Sequence, residues 1–267
     1  MNNPLVSVIV PCYNLGVYIG EAIGSVLNQP YENVEVIIVN DGSTDDTERI
    51  LNEIKHSKVQ VIHTRNQGLS AARNTGILNS KGKYILPLDA DDKISDSYIT
   101  EAVSVLENDN QLGIVYGGSC YFGDLEGSQQ LETFDMERMI FYNQIYCSAF
   151  FRRSDYDKTN GYDTGMIYGW EDWEFWLSIL KMGRKVHFID KPCFYYRIRN
   201  GSMVRNMTDE QRVYLRRRIY ARHPELYEHL FSDPLHLYEV LSYYKRDFDT
   251  NVGGKIFRKI KYLLGRS

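Results

Sequence analysis

Ile85-Leu86-Pro87-Leu88-Asp89-Ala90-Asp91-Asp92 is the stretch that decides the fold: an apolar run stops abruptly at three carboxylates in four positions. The run has strand length and is flanked by Gly82 and polar residues. A buried strand that ends in an acidic loop delivers carboxylates to the edge of an α/β sheet, where such sheets bind ligands. Like charges this close repel and call for a cation. Hard oxygen donors favour Mg²⁺ or Mn²⁺, ions that complete their shell with substrate phosphates. The plainer alternative is an acidic turn followed by a helix cap, with Asp96 capping a helix that begins near Ser97.

Working outward, the first half of the chain alternates strands and helices. Leu5 to Pro11, Val34 to Val39, Val59 to Ile62, Tyr84 to Leu88 and Gly113 to Tyr116 read as strands. Helices fall between them, with Ile19, Ile23, Val26 and Leu27 at helical spacing in the first. Alternation of this kind predicts βαβ units, a Rossmann-like and mostly parallel sheet flanked by helices. After about residue 118 the rhythm breaks. Gly123 to Gly127 reads as a hairpin or loop, Ser148 to Arg152 as a strand and Trp170 to Met182 as a helix. Lys185 to Ile189 and Cys193 to Arg197 read as two further strands. From Asp209 the chain is helical and rich in Arg and Tyr. The expected organisation is a domain over 1–203, with halves 1–118 and 119–203, and a helical extension over 204–267.

Composition bounds the function. The 267 residues suit one large α/β domain with an appendage, and 43% hydrophobic with 25% charged is ordinary globular usage. A formal net charge of −4 argues against a nucleic-acid partner. Cys12, Cys120, Cys147 and Cys193 form no CxxC pair and are expected to be reduced and buried, as in a cytosolic protein. The opening apolar run is too short for a signal peptide, and no stretch is apolar enough to span a bilayer.

Parallel strands present their C-terminal ends to one edge, so three loops are expected to converge there. Pro11-Cys12-Tyr13-Asn14 follows the first strand, Asn40-Asp41-Gly42-Ser43-Thr44 the second and Asp89-Ala90-Asp91 the fourth. No GxGxxG follows the first strand, which argues against a dinucleotide fold. Tyr13 and Asp41 could instead hold a nucleobase by stacking and hydrogen bonding, with Asn14 beside them; the alternative for Asp41 is a helix cap. Arg73 projects from the first turns of another helix, where a cation can meet a phosphate, or it is an ordinary solvated helix residue.

Val6-Ser-Val-Ile-Val-Pro-Cys-Tyr-Asn14, Val39-Asn-Asp-Gly-Ser-Thr-Asp-Asp46, Asn66-Gln-Gly-Leu-Ser-Ala-Ala-Arg-Asn74 and Asp89-Ala-Asp-Asp92 together resemble the successive motifs of glycosyltransferase family 2, over roughly residues 5 to 203. The resemblance implies a GT-A fold, a nucleotide-sugar donor and inversion at the anomeric carbon. It implies that Pro11, Tyr13 and Asp41 line the base pocket, that Asp89 approaches the ribose and that Asp91 binds the metal, Mn²⁺ or Mg²⁺. In Gly169-Trp170-Glu171-Asp172-Trp173-Glu174-Phe175-Trp176, the Glu171-Asp172 pair matches the family's catalytic base position, with Asp172 as the base. An unperturbed Asp titrates at about 3.9, so Asp172 is expected to be ionised at neutral pH. Trp170 or Trp173 could stack on a sugar face, whereas Trp176 fits a buried helix face. The plain alternative for Glu171-Asp172 is acidic charge at a helix N-terminus.

One position departs from the family pattern. Many relatives carry a His in a Tyr-Arg-x-His-like stretch that can complete the metal site, but this chain reads Tyr196-Arg197-Ile198-Arg199. A guanidinium has no lone pair for a metal. Arg199 either contacts the pyrophosphate or lies in a surface loop. The expectation is a metal-dependent inverting transferase on the inner face of the cell membrane. A UDP-sugar is the expected donor, and a glycan or lipid-linked saccharide, as in cell-envelope polysaccharide synthesis, the expected acceptor. A sugar-nucleotide nucleotidyltransferase would bring a Gly-rich basic loop after the first strand, which is missing. A non-catalytic nucleotide-sugar-binding module would have no need of Asp89, Asp91 and Asp172 together. The tail at 253–266 places Ile256, Phe257, Ile260, Leu263 and Leu264 on one helical face among basic residues, the pattern of a membrane-surface anchor or of a docked terminal helix.

Overall fold

The computed structural model describes residues 3–129, 134–199 and 207–228, with 239 and 242. The amphipathic tail at 253–266 lies outside the described residues. The elements run β1 (Val6–Cys12), α1 (Gly16–Leu27), β2 (Val34–Asp41), α2 (Thr47–Glu53), β3 (Val59–Thr64), α3 (Leu69–Leu78), β4 (Tyr84–Pro87), β5 (Lys93–Ile94) and α4 (Tyr98–Asn108). They continue as β6 (Leu112–Gly123), β7 (Gly127–Gln129), α5 (Met136–Met139), β8 (Phe150–Arg152), α6 (Arg153–Tyr156), α7 (Glu171–Leu180), β9 (Lys185–Ile198), α8 (Asp209–Arg222) and α9 (Pro224–Tyr227).

The strands form one sheet in the order β3-β2-β1-β4-β8-β6-β9-β5, with β7 paired to β6. The first four are parallel, in register from Val6 against Val34 and Tyr84, as the alternating pattern requires. Every residue of β1 and β4 is buried, because helices cover both faces of a parallel sheet. The chain turns from β1 to β2 and β3 on one side, then returns to place β4 on the other. That reversal opens a crevice at the C-terminal ends of β1 and β4. Gly76 lets α3 close on the sheet: a Cβ there would lie 2.4 Å from Ile9 Cγ2.

Beyond β4 the sheet becomes mixed. The short β8 is antiparallel to both β4 and β6, and β9 returns parallel to β6. The two strands expected over 185–189 and 193–197 are one strand, β9, with register shifts where Gly117 and Gly118 face Ile189 and Pro192. Proline brings no N–H to the ladder, so the pairing slips there without ending. The acidic loop also carries an element that the pattern concealed: Lys93–Ile94 pairs with Tyr195 and Phe194. The cap before α4 is Ser97 rather than Asp96, and its side chain makes no capping bond.

Helix α7 is fixed by aromatic packing. Phe175 stacks on Tyr162 at 4.2 Å between centroids and meets Phe151 of β8 edge-on at 5.0 Å. On its other flank, buried Asp163 accepts both Arg218 Nε and Nη2 at 2.5 and 2.6 Å, and buried Glu174 accepts Arg222 Nε at 2.7 Å. Helix α8 is thereby held to α7 and to the segment before it. Two compact units divide the chain, Met1–Arg222 and His223–Ser267. All four cysteines are free thiols; Cys12 and Cys193 are buried, but Cys120 and Cys147 are only partly so, against expectation. No described helix is long and apolar enough to cross a membrane.

Candidate active site

Arg73 joins the two acidic segments. Helix α3 turns it inward, where it is 1% exposed, against the alternative of a solvated helix residue. Its Nη2 donates to Asp89 Oδ1 at 2.7 Å and its Nη1 to Glu171 Oε1 at 2.5 Å. The ring of Tyr162 lies 5.5 Å from the guanidinium carbon. A buried guanidinium needs such partners, because an unpaired charge in the interior costs several kcal/mol, roughly 3–5 when one partner is removed. The ion pairs bring the end of β4 and the start of α7 to one point. Glu171 and Arg73 are thus both engaged within the protein.

Asp172, the next residue, has a different environment. Its Oδ1 accepts the Trp173 N–H at 2.7 Å and its Oδ2 accepts Asn143 Nδ2 at 3.0 Å. Burial, with the adjacent Glu171 carboxylate, pushes the Asp172 carboxyl up to about 7. The expectation of an ordinary, fully ionised Asp is therefore corrected. The residue that starts the helix, Trp170, has φ 60°, ψ 16°, the left-handed region that a bulky side chain adopts only at a cost. Its indole meets Trp173 edge-on at 5.5 Å. Trp173 itself is buried, with Nε1 donating to Met139 O at 2.7 Å, which removes it as a sugar platform. Trp176 is fully buried, as its spacing suggested.

The acidic loop after β4 sends its three carboxylates in three directions. Asp89 faces Arg73. Asp92 is buried, accepts the Arg197 N–H at 2.8 Å through Oδ1 and leaves Oδ2 without a hydrogen-bond partner. Burial and the charges of Asp89 and Asp91 raise its carboxyl well above the usual range. Asp91 Oδ2 accepts Arg199 Nε at 2.5 Å, so Arg199 reaches the loop and is not a surface residue remote from it. Ligand atoms of Asp89, Asp92 and Cys147 lie within 4.8 Å of one another. Hard oxygens and the orphaned Asp92 Oδ2 fit a divalent cation. Cys147 does not fit Mg²⁺ or Mn²⁺: burial and Asp89 push its thiol up, and a protonated sulfur is a poor ligand for hard ions.

The loops after β1 and β2 are tied together beside this crevice. Asn14, at φ 54°, donates its N–H to Ser43 Oγ at 2.9 Å and accepts the Thr44 N–H at 2.8 Å. Pro11 is buried within β1, and Tyr13 at the strand's end is 46% exposed, its ring open to a planar ligand. Asp41 accepts the N–H groups of Gln67 and Gly68 at 2.9 and 2.8 Å and the Thr64 hydroxyl at 3.2 Å. It thus pins the turn that enters α3 and does not cap α2. Gly42, at φ 70°, is required there: a Cβ would lie 2.6 Å from Asn66 N. Asn143, Asp92, Cys147 and Tyr162 were not among the expected site residues. Asn143 sits in Phe141-Tyr142-Asn143-Gln144, outside any periodic element, so no local signal marked it.

A parallel sheet with an acidic loop at its switch point, opposed by the acidic start of a helix, defines a GT-A-type α/β domain. The chain belongs to a family of this kind, glycosyl transferase family 2, whose family model matches residues 7–171. It is 34% identical over 201 residues to an uncharacterized glycosyltransferase of Haemophilus influenzae, covering 68% of this chain and 62% of that protein. It is 29% identical over 227 residues to the glycosyltransferase GlyA of Streptococcus pneumoniae, covering 77% of this chain and 32% of that one. The chain thus spans less than two thirds of the length of both relatives. The crystal structure of S. aureus TarS residues 1–349 in complex with UDP-GlcNAc shares the fold, with a TM-score of 0.67 at 21% identity over 81% of this chain and 66% of that chain. TarS has also been crystallised with UDP.

Proposed function

We propose that this chain transfers a glycosyl group from a UDP-sugar to a hydroxyl of a glycan or lipid-linked saccharide, with inversion and with Asp172 as the base. The observation that carries this reading is the Asp172 carboxyl, held by Asn143 beside the Arg73–Glu171 ion pair and raised to about 7 by burial and by Glu171. A base with that affinity takes a proton near neutral pH and is matched to the task. The acceptor oxygen attacks the anomeric carbon as the bond from that carbon to the diphosphate oxygen breaks. The hydroxyl proton passes to Asp172, and the electron pair leaves with UDP. Arg73 holds Asp89 and Glu171 so that donor and base meet at one place, which makes Arg73 and Glu171 positioning residues. Tyr13 offers a stacking face for the uracil, with Pro11, Asn14 and Asp41 shaping that pocket, and Trp170 offers one for a sugar.

Asp91 would hold Mg²⁺ or Mn²⁺, which when bound neutralises charge on the leaving diphosphate, with Asp89 toward the ribose. Residues 1–118 take the donor and 119–203 the acceptor, with 204–267 as a helical extension. The basic segment 253–266 favours an anionic membrane surface, about 1 kcal/mol for each basic residue, and places the enzyme on the inner face. The test is UDP release from a panel of UDP-sugars by the full chain, with Asp172→Asn alongside. Release by the wild type, with loss of release but unchanged UDP affinity in the variant, supports the reading. Equal release by both proteins removes Asp172 as the base, and no release from any donor by either overturns the UDP-sugar reading.

A further inference from the structure

We propose that Arg199 is the resident cation of the donor site, so that the diphosphate binds without a divalent ion and a divalent ion must displace Arg199 from Asp91. The inference rests on the nucleotide-sugar reading above and goes beyond it in assigning the charge that meets the diphosphate.

Three observations carry it. First, Arg199 Nε lies 2.5 Å from Asp91 Oδ2, with the two side chains 30% and 15% exposed. A guanidinium this close, in a partly desolvated cleft, cancels the charge that would draw in a cation. Second, the segment that bears Arg199 is stitched to the acidic loop. Arg197 donates its backbone N–H to Asp92 Oδ1 and its Nε to Asp91 O, both at 2.8 Å. The Arg197 guanidinium lies 4.7 Å from the Tyr18 ring centroid and 4.2 Å from that of Phe122, with Nη2 2.9 Å from Glu21. The end of β9 is therefore anchored, and Arg199 is delivered to Asp91 by structure rather than by chance contact.

The third observation is the local charge balance. Arg73 is already committed to Asp89 and Glu171. Asp92 Oδ1 accepts the Arg197 N–H. With Asp91 paired to Arg199, both Asp89 and Asp91 already face a guanidinium. A divalent ion arriving alone finds little net negative charge, and Mg²⁺ in particular gives up water reluctantly. A diphosphate meets a different situation. It presents several oxygens to a planar guanidinium fork, a geometry that arginine binds in bidentate fashion. Arg199 can exchange one carboxylate for the diphosphate while its stem stays fixed by the Arg197 anchor.

Isothermal titration calorimetry of the full chain with UDP, with uridine and with Mn²⁺ alone decides the matter, in EDTA and in Mn²⁺ buffers. Wild type is expected to bind UDP in EDTA within about threefold of its affinity in Mn²⁺, and Mn²⁺ alone weakly. Arg199→Ala is expected to lose about tenfold or more in UDP affinity in EDTA, with uridine affinity unchanged, and to gain affinity for Mn²⁺ alone. Arg199→Lys keeps the charge and is expected to recover part of the loss, which also guards against misfolding of the alanine variant. Wild-type UDP affinity that rises more than tenfold with Mn²⁺ would overturn the inference and leave the donor reading intact, as would identical UDP affinity in Arg199→Ala in EDTA. Failure of wild type to bind UDP in either buffer would sink the donor reading and the inference with it.

Discussion

Two acidic segments, Asp89–Asp92 and Glu171–Asp172, meet at Arg73, and they use their carboxylates in contrasting ways. Each gives one carboxylate to the buried guanidinium, Asp89 from the first and Glu171 from the second. Each keeps another for the cleft. In the β4 loop that second carboxylate, Asp91, is matched by a cation, Arg199. At the start of α7 the corresponding Asp172 is matched by an amide, Asn143, and by a backbone N–H. An amide bonds a carboxylate without cancelling its charge, so burial raises the Asp172 carboxyl toward neutrality. Neighbouring carboxylates thus differ in their partners, guanidinium groups for Asp89, Asp91 and Glu171 and an amide for Asp172.

The comparison breaks most visibly at Asp172. Asp172→Asn is expected to slow UDP release from a UDP-sugar by roughly 10²–10⁴-fold, the usual scale for losing a general base, with UDP affinity measured by calorimetry unchanged. A rate within a few-fold of wild type would show that the amide-held carboxylate is not the proton acceptor. Next in size is the shared guanidinium. Arg73→Met leaves Asp89 and Glu171 facing each other unpaired, and a loss of roughly 3–5 kcal/mol in urea unfolding is expected. A change below 1 kcal/mol, read from the same curves, would mean that the two segments are held together by other contacts.

Smaller effects sharpen the contrast. The rate is expected to rise with pH through about 7, because the protonated Asp172 cannot accept a proton. Asn143 donates to the charged form and so favours it. Asn143→Ala is therefore expected to move that rise to higher pH by less than about one unit, measured as the acid limb of a pH–rate profile. A shift to lower pH would mean that the amide favours the neutral acid. The stability dependence has a definite sign. The folded-state value near 7 exceeds the unfolded value of about 3.9, so the native chain binds more protons between these limits. The contribution of this group to stability is then fully present below about pH 4 and lost as pH rises through 7. The urea midpoint of Asp172→Asn, relative to wild type, is expected to rise between pH 5 and pH 8. A constant difference would place the proton elsewhere in the Glu171–Asp172 pair.

The first half of the fold was legible, β5 apart, because β1, β2 and β4 announce themselves by buried apolar runs and the helices between them by their spacing. Pairing of β1 with β2 and β4 follows from that alternation. The second half was less legible for physical reasons. The strand expected over 148–152 is present as the three-residue β8, but its antiparallel pairing with both β4 and β6 left no mark in its own pattern. Pro192 hid the continuity of β9. At the site, Asp89, Asp91, Glu171 and Asp172 stood out because acidic residues interrupt apolar sequence there. Arg73 and Arg199 also drew notice, but not as their partners, since Arg73 and Glu171 are 98 positions apart and Asp91 and Arg199 are 108 apart. Which carboxylate meets which cation is a property of the folded sheet. The Asp172 value could not be read from its residue type, because burial and Glu171 set it.

The contacts of Arg218 and Arg222 with Asp163 and Glu174 bear on how the chain is made. Helix α7 carries a fully buried glutamate, Glu174, whose guanidinium partner is 48 residues further on. During synthesis α7 emerges before that partner does. Until residue 222 has emerged, Asp163 and Glu174 lack the guanidinium groups of Arg218 and Arg222 that meet them in the folded chain. The arrival of α8 therefore completes the packing around α7, so a nascent chain arrested before that point is expected to hold α7 less tightly than the full chain.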